Sequence, residues 1–124
     1  MKKVLIVDDS HIVRPNLKKI IDSIEGIELY DEAEDYQSAI EKIVDETPDI
    51  LILDINLGEQ SGIDILYKIK SGLNSKPIVI MFTNYTDPIF RKAAKEAEYF
   101  FDKSADIEKL ISTLKKLGGN GAVE

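Results

Sequence analysis

No cysteine occurs among the 124 residues, so the fold has no disulfide frame and no thiolate metal ligand, and must rest on burial. A single histidine, His11, leaves oxygen donors as the main ligand chemistry. Its place at the start of a helical pattern, just past an apolar run, fits a solvent-exposed side chain. Tryptophan is absent, and no apolar run approaches the roughly 18 residues of a membrane span. The first run, Val4 to Val7, follows Lys2-Lys3 but is cut off by Asp8-Asp9, well short of a signal-peptide core of about 7–15 residues. A cytoplasmic protein is expected. Basic residues are in deficit: 16 Lys and Arg against 23 Asp and Glu give a formal charge of −7, which argues against a broad nucleic-acid or anionic-membrane surface. The length suits one domain with a full hydrophobic core, and 44% apolar with 31% charged residues are the proportions of a soluble globular protein.

Short apolar runs alternate with longer stretches of helical period. Val4 to Val7, Ile50 to Leu53 and Ile78 to Phe82 are continuous and rich in β-branched residues, as expected of central strands covered on both faces. Ile27-Glu28-Leu29-Tyr30 alternates and Tyr99-Phe100-Phe101 is short, so both suit sheet edges. Between them lie amphipathic stripes: Val13, Leu17, Ile20, Ile21 and Ile24; Tyr36, Ala39, Ile40, Ile43 and Val44; a weaker Ile65, Leu66 and Ile69; Phe90, Ala93, Ala94 and Ala97; and Ile107, Leu110, Ile111 and Leu114. Five strand-then-helix units predict a doubly wound α/β domain with a five-stranded parallel sheet and five helices. Asp87-Pro88 reads as an N-cap followed by proline at the first helical position. A first helix starting near Ser10 would lose a hydrogen bond at Pro15, which predicts a later start or a local distortion. Residues 1–117 are expected to form the domain and residues 118–124, rich in glycine, a flexible tail.

In an open parallel α/β sheet, ligands bind beyond the carboxyl ends of the strands. The first strand ends in Asp8-Asp9, the third in Asp54, the fourth in Thr83, and the fifth, after Asp102, in Lys103. Each has a bland reading: Asp8 or Asp9 as a helix cap, Asp54 as a loop acid, Thr83 as a β-branched strand end, Lys103 as a solvated charge. The conjunction tips the balance. Two carboxylates about 4 Å apart repel by roughly 4 kcal/mol at an effective dielectric near 20, and one lysine cannot cancel three of them. Mg²⁺ is the natural compensation, because an all-oxygen donor set of aspartates and a backbone carbonyl suits magnesium and not zinc.

Val4-Leu5-Ile6-Val7-Asp8-Asp9-Ser10, Asp49-Ile50-Leu51-Ile52-Leu53-Asp54-Ile55-Asn56-Leu57 with Ser61-Gly62, Pro77-Ile78-Val79-Ile80-Met81-Phe82-Thr83-Asn84, and Phe100-Phe101-Asp102-Lys103 occur in that order, each at a strand end. Together they resemble the receiver domain of two-component response regulators, the CheY-like family, over about residues 3–117. The resemblance implies the flavodoxin-like strand order 2-1-3-4-5. It implies that Asp54 is the phosphoacceptor, that Asp9 binds Mg²⁺ directly and Asp8 largely through water, and that the Asn56 backbone carbonyl is a further ligand. Lys103 would pair with Asp54 and then with a phosphoryl oxygen, and Thr83 would donate its hydroxyl to another. Phe100 occupies the family's switch-aromatic position, for which plain core packing is the bland alternative. On phosphorylation, Thr83 would move inward and Phe100 turn after it, reshaping the surface around the fourth helix, fifth strand and fifth helix.

Three features depart from the family pattern. Ser104 follows Lys103 where a cis proline is common. Lys95-Glu96-Ala97-Glu98 lacks the glycine usual before the fifth strand, so the end of the fourth helix should run on or distort. Asn84 and Tyr85 put bulk beside Thr83, restricting access to Asp54. The implied partners are a histidine kinase or histidine phosphotransfer protein as donor and an output protein reached by contact, with the chain a monomer or a weak phosphorylation-dependent dimer. On this reading the chain is a signalling domain that assists its own phosphorylation and dephosphorylation rather than an enzyme. The alternatives are a small Mg²⁺-dependent aspartyl-phosphate phosphohydrolase and a phosphorylation-independent interaction module. The phosphohydrolase normally carries a second acid two residues after its nucleophile, where Asn56 stands. A flavodoxin-like electron carrier fits poorly, because Asp8-Asp9 would repel a flavin phosphate.

Overall fold

A computed structural model describes residues 1–119; residues 120–124 of the expected tail lie outside the described residues. The strands are β1 (Lys2–Val7), β2 (Ile27–Ala33), β3 (Ile50–Leu53), β4 (Ile78–Thr83) and β5 (Tyr99–Asp102). The helices are α1 (Val13–Asp22), α2 (Tyr36–Glu46), α3 (Gly62–Ser71), α4 (Pro88–Ala93) and α5 (Ile107–Leu117). All five strands pair in parallel in the order β2-β1-β3-β4-β5, the expected doubly wound sheet. A short antiparallel hairpin, Asn56–Leu57 against Gln60–Ser61, lies between β3 and α3. Nothing in the residue pattern announced it.

The sheet is buried on both faces because its apolar runs are continuous. Val4, Ile6, Ile50, Ile52, Ile80 and Phe82 meet Leu17 and Ile21 of α1 and Leu110 and Leu114 of α5 on one side. Leu5, Val7, Leu51, Leu53, Val79 and Met81 meet α2, α3 and Ala94 on the other. Each fully buried Leu or Ile contributes about 1.5–3 kcal/mol, so these two layers supply the main stabilisation. The edge strand β2 runs farther than its alternating residues suggested. A register irregularity opposite Val4 and Leu5 lets Asp31, Glu32 and Ala33 continue the pairing.

Helix starts follow local chemistry. α1 begins at Val13, so Pro15 is its third residue, where the missing N–H is no loss. Ser10 Oγ accepts from the N–H groups of Ile12 and Val13 at 3.2 and 3.1 Å. Asp35 caps α2 through Ser38 N–H at 2.9 Å, and Ser61 with Asp64 forms a capping box on α3. α4 starts at Pro88 as expected, but the Asp87 side chain makes no cap; its carbonyl instead accepts from Phe90 N–H. α4 stops after six residues, short of Ala97. Glu98 explains where the chain goes next: Oε1 accepts from Val79 N–H at 2.7 Å and Oε2 from Lys70 Nζ at 2.9 Å, pulling the chain into β5. All peptide bonds among the described residues are trans, including Lys103–Ser104.

Gly26 turns the chain from α1 into β2 with φ +90°, and a Cβ there would lie 2.1 Å from the Gly118 carbonyl oxygen. Gly26→Ala is therefore expected to cost at least about 1–3 kcal/mol. By contrast, Gly72→Ala, whose Cβ would meet nothing within 4 Å, should change stability by less than about 1 kcal/mol. Thermal unfolding of the two variants checks this, and equal effects would contradict it.

Candidate functional site

The carboxyl ends of β1, β3, β4 and β5 converge on one rim. Asp8 follows β1 and donates its N–H to Ala33 as the last rung toward β2. Asp54 follows β3, with its N–H on the Val7 carbonyl. Thr83 ends β4, and Lys103 follows β5 with its N–H on the Thr83 carbonyl at 3.0 Å. Backbone bonds thus fix all four origins before any side chain acts.

Asp8 and Asp54 are buried, 2% and 6% exposed, and Thr83 is completely so. Lys103 Nζ bridges the two acids, 2.7 Å from Asp8 Oδ2 and 2.9 Å from Asp54 Oδ2. Asp9 is exposed, yet one carboxylate oxygen from each of Asp8, Asp9 and Asp54 falls within 4.8 Å of the others. Neither Asp8 nor Asp9 caps α1, whose N-cap Ile12 carries no side-chain cap; Asp8 Oδ1 instead accepts from Ser10 N–H at 2.9 Å. Three carboxylates against one ammonium leave two negative charges uncompensated in a half-closed pocket, and each close acid pair costs roughly 3–4 kcal/mol at an effective dielectric near 20.

Burial raises the Asp8 pKa above its ordinary 3.8, and the Asp54 charge adds to it, against the lowering bonds from Lys103 and Ser10. Burial alone would lower Lys103 below 10.5, but its bonds to Asp8 and Asp54 outweigh that and raise it. The two directions agree physically: the ammonium gains from facing two anions, whereas each anion receives only part of one cation. An all-oxygen, doubly negative cluster without sulfur or imidazole fits a hard divalent cation such as Mg²⁺.

The remaining expected residues sit around this pocket. Asn56 opens the hairpin; its N–H lies 3.4 Å from Asp54 Oδ1, and its side-chain oxygen accepts from Gly58 N–H at 3.3 Å. Thr83 Oγ1 accepts from Tyr85 N–H at 3.1 Å. Tyr85 packs edge-on against Phe90, ring centroids 5.2 Å apart, on the α4 side. Phe100 is half-buried against the α2–α4 layer, with the Arg91 guanidinium 4.6 Å above its ring. His11 is exposed, as expected. Ser104 is held by Asp102, whose Oδ1 accepts from both its N–H and its hydroxyl at 2.8 and 2.7 Å.

Two residues escaped sequence reasoning. Gly62, which the sequence offers only as part of a motif, starts α3 against the phosphoacceptor candidate: a Cβ there would lie 1.9 Å from the Asp54 carbonyl oxygen. Arg14 donates from Nη1 to the Asp8 carbonyl at 2.7 Å, and no sequence pattern distinguishes it from a solvated helix arginine.

A family model described as response regulator receiver domain matches residues 4–115. The sensory transduction protein LytR of Staphylococcus haemolyticus is 33% identical over 115 residues, covering 93% of this chain and 44% of LytR. LytT of Bacillus subtilis is 31% identical over 116 residues, 94% of this chain and 48% of LytT, so the chain spans about half the length of these relatives. Among solved structures, the response regulator domain of Thermotoga maritima CheB matches with TM-score 0.83 and 27% identity, covering 96% of this chain and 97% of that one. The response regulator TrrA of Thermotoga maritima, crystallised in complex with Mg²⁺-BeF, matches with TM-score 0.81 and 29% identity, covering 94% of this chain and 99% of that one.

Because Asp8 is held with its pKa raised, its ionised form weighs against the fold. That contribution favours folding below the ordinary 3.8 and is lost as pH rises through the raised value. In metal-free buffer at neutral pH, Asp8→Asn is expected to stabilise the protein by on the order of 1 kcal/mol, what remains of the cost of burying the charge beside Asp54 after Lys103 and Ser10 have offset most of it. The gain should shrink on acidification towards pH 3.8. Thermal unfolding across pH checks it; a variant less stable than the parent at neutral pH would contradict it.

Proposed function

Since the chain belongs to the response regulator receiver domain family of two-component systems, we propose that it accepts a phosphoryl group on Asp54 from a histidine kinase or histidine phosphotransfer protein and signals through protein contact. The observation that carries this reading is the Lys103 ammonium set between the buried carboxylates of Asp8 and Asp54, with a third acid and the Thr83 hydroxyl at the same rim. The proposed unit is residues 1–117, acting as a monomer or a weak phosphorylation-dependent dimer.

Asp8, Asp9, Asp54 and the Asn56 carbonyl would hold Mg²⁺, which when bound supplies positive charge beside both the carboxylates and the incoming phosphoryl oxygens. An Asp54 carboxylate oxygen attacks phosphorus in line. The phosphorus–nitrogen bond of the donor breaks, its electron pair and a proton from solvent go to the leaving imidazole, and an acyl phosphate remains on Asp54. Lys103 exchanges its contact with the free carboxylate for one with a phosphoryl oxygen. Thr83, whose hydroxyl oxygen accepts from Tyr85 N–H and so keeps its hydrogen for donation, donates to another. Movement of Thr83 reaches α4 through Tyr85 and Phe90, and Phe100 can follow only by leaving the Arg91 guanidinium. The phosphohydrolase alternative is not favoured, since Asn56 puts an amide bonded to Gly58 where that chemistry wants an acid.

Incubation with Mg²⁺ and a small phosphodonor, followed by mapping of acid-labile phosphate, tests the assignment. The label should sit on Asp54, vanish in Asp54→Ala, and fail to form when divalent ions are chelated. Undiminished label in Asp54→Ala would overturn it.

A further inference from the structure

Beneath the loop that carries Asp8 and Asp9 lies a guanidinium that the phosphorylation chemistry does not use. Arg14 is the second residue of α1, and its side chain is only 13% exposed. Nη1 donates to the Asp8 carbonyl at 2.7 Å and Nε to Glu32 Oε1 at 3.0 Å, while Nη2 lies 3.7 Å from Glu34 Oε2 and 3.3 Å from His11 Nδ1. Glu32 is anchored in turn, because its carbonyl accepts from Lys42 Nζ, which also bonds Asp31.

The position of this contact matters. Asp8 N–H makes the last rung of the β1–β2 ladder, and Arg14 takes the carbonyl just beyond it. That carbonyl belongs to the peptide joining Asp8 to Asp9. Holding its oxygen fixes the plane of the peptide, and with it the directions in which both side chains leave the backbone. A planar guanidinium with several fixed donors can grip a carbonyl and a carboxylate at once, which an ammonium cannot do with the same geometry.

We infer that Arg14 is a positioning residue for divalent-cation binding: clamped by Glu32 and Glu34, it holds the Asp8–Asp9 peptide so that the two carboxylates stay together opposite Asp54. The inference rests on the reading of these aspartates as the Mg²⁺ site. It makes a prediction opposite in sign to simple electrostatics. A nearby positive charge opposes a divalent cation, so if Arg14 acted only through its charge, removing it would tighten Mg²⁺ binding. If it acts through geometry, removal weakens binding despite the lost repulsion. Orienting contacts of this kind change metal affinity by about 10–100-fold.

Calorimetric titration of the full chain with MgCl₂ at fixed pH and ionic strength, paired with thermal unfolding in chelator, decides between them. Arg14→Gln should raise the Mg²⁺ Kd by about tenfold. Arg14→Lys should recover part of the loss, and Glu32→Gln, which releases the clamp, should fall between. Equal or tighter binding by Arg14→Gln, with only its melting temperature lowered, would overturn the inference by reducing Arg14 to a stabilising contact. Should Arg14→Gln not fold, Arg14→Lys carries the decision, because it keeps the charge and loses only the guanidinium's geometry: weakened uptake supports the inference and unchanged uptake overturns it. Absence of Mg²⁺ uptake by the unaltered protein would instead overturn the functional reading beneath it.

Discussion

One ammonium group serves two buried carboxylates at the rim of this sheet, with a third acid close by. Lys103 lies within 2.9 Å of both Asp8 and Asp54, and the two acids are almost fully withdrawn from solvent. Such an arrangement is costly in isolation, because desolvation weakens each anion and the cation is shared. It persists because the backbone beneath it leaves little choice. Asp8, Asp54 and Lys103 each follow directly on a strand whose last hydrogen bonds are made to its neighbours, and the strands are covered on both faces. The apolar layers therefore hold charges in place that would otherwise separate.

The same backbone links the pocket to α4. The Thr83 carbonyl receives Lys103 N–H, and its hydroxyl oxygen receives Tyr85 N–H, so one residue touches both the ammonium-bearing loop and the loop leading to α4. α4 itself has six residues, none of them buried, and is held by the Tyr85–Phe90 ring pair and by Arg91, which bonds the Thr86 carbonyl and covers Phe100. A helix with so little apolar anchoring can be re-set by a small change at the rim. The proposed switch thus joins the most constrained group of charges to the least constrained helix.

Much of this was legible from residue order, because parallel strands buried on both faces write themselves as unbroken apolar runs and their carboxyl ends collect the polar residues. Asp8, Asp9, Asp54, Thr83 and Lys103 stood out by falling where those runs stop. The continuation of β2 was not legible, since Asp31 and Glu32 look like loop residues until a register irregularity carries them along β1. The missing glycine before β5 announced a disturbed end to α4 but not how early it stops, since Glu98 then bonds a backbone N–H on a strand 19 residues away. Arg14 was invisible for a related reason: a carbonyl acceptor leaves no trace in side-chain identity, so the partner that gives this arginine its place cannot be read from any motif. Gly62 stood in a motif, but the close approach that requires it involves backbone alone.

The most direct test of the central electrostatic claim is a carbon-13 NMR titration of the Asp8 side-chain carboxyl, run with and without magnesium. Burial, with the Asp54 charge added and Lys103 only partly offsetting them, predicts a midpoint above the ordinary 3.8 in metal-free buffer, drawn sharply downward when the divalent ion is present. A midpoint at the ordinary value, indifferent to magnesium, would show that the acids are neither crowded nor poised for a cation, and would contradict the account.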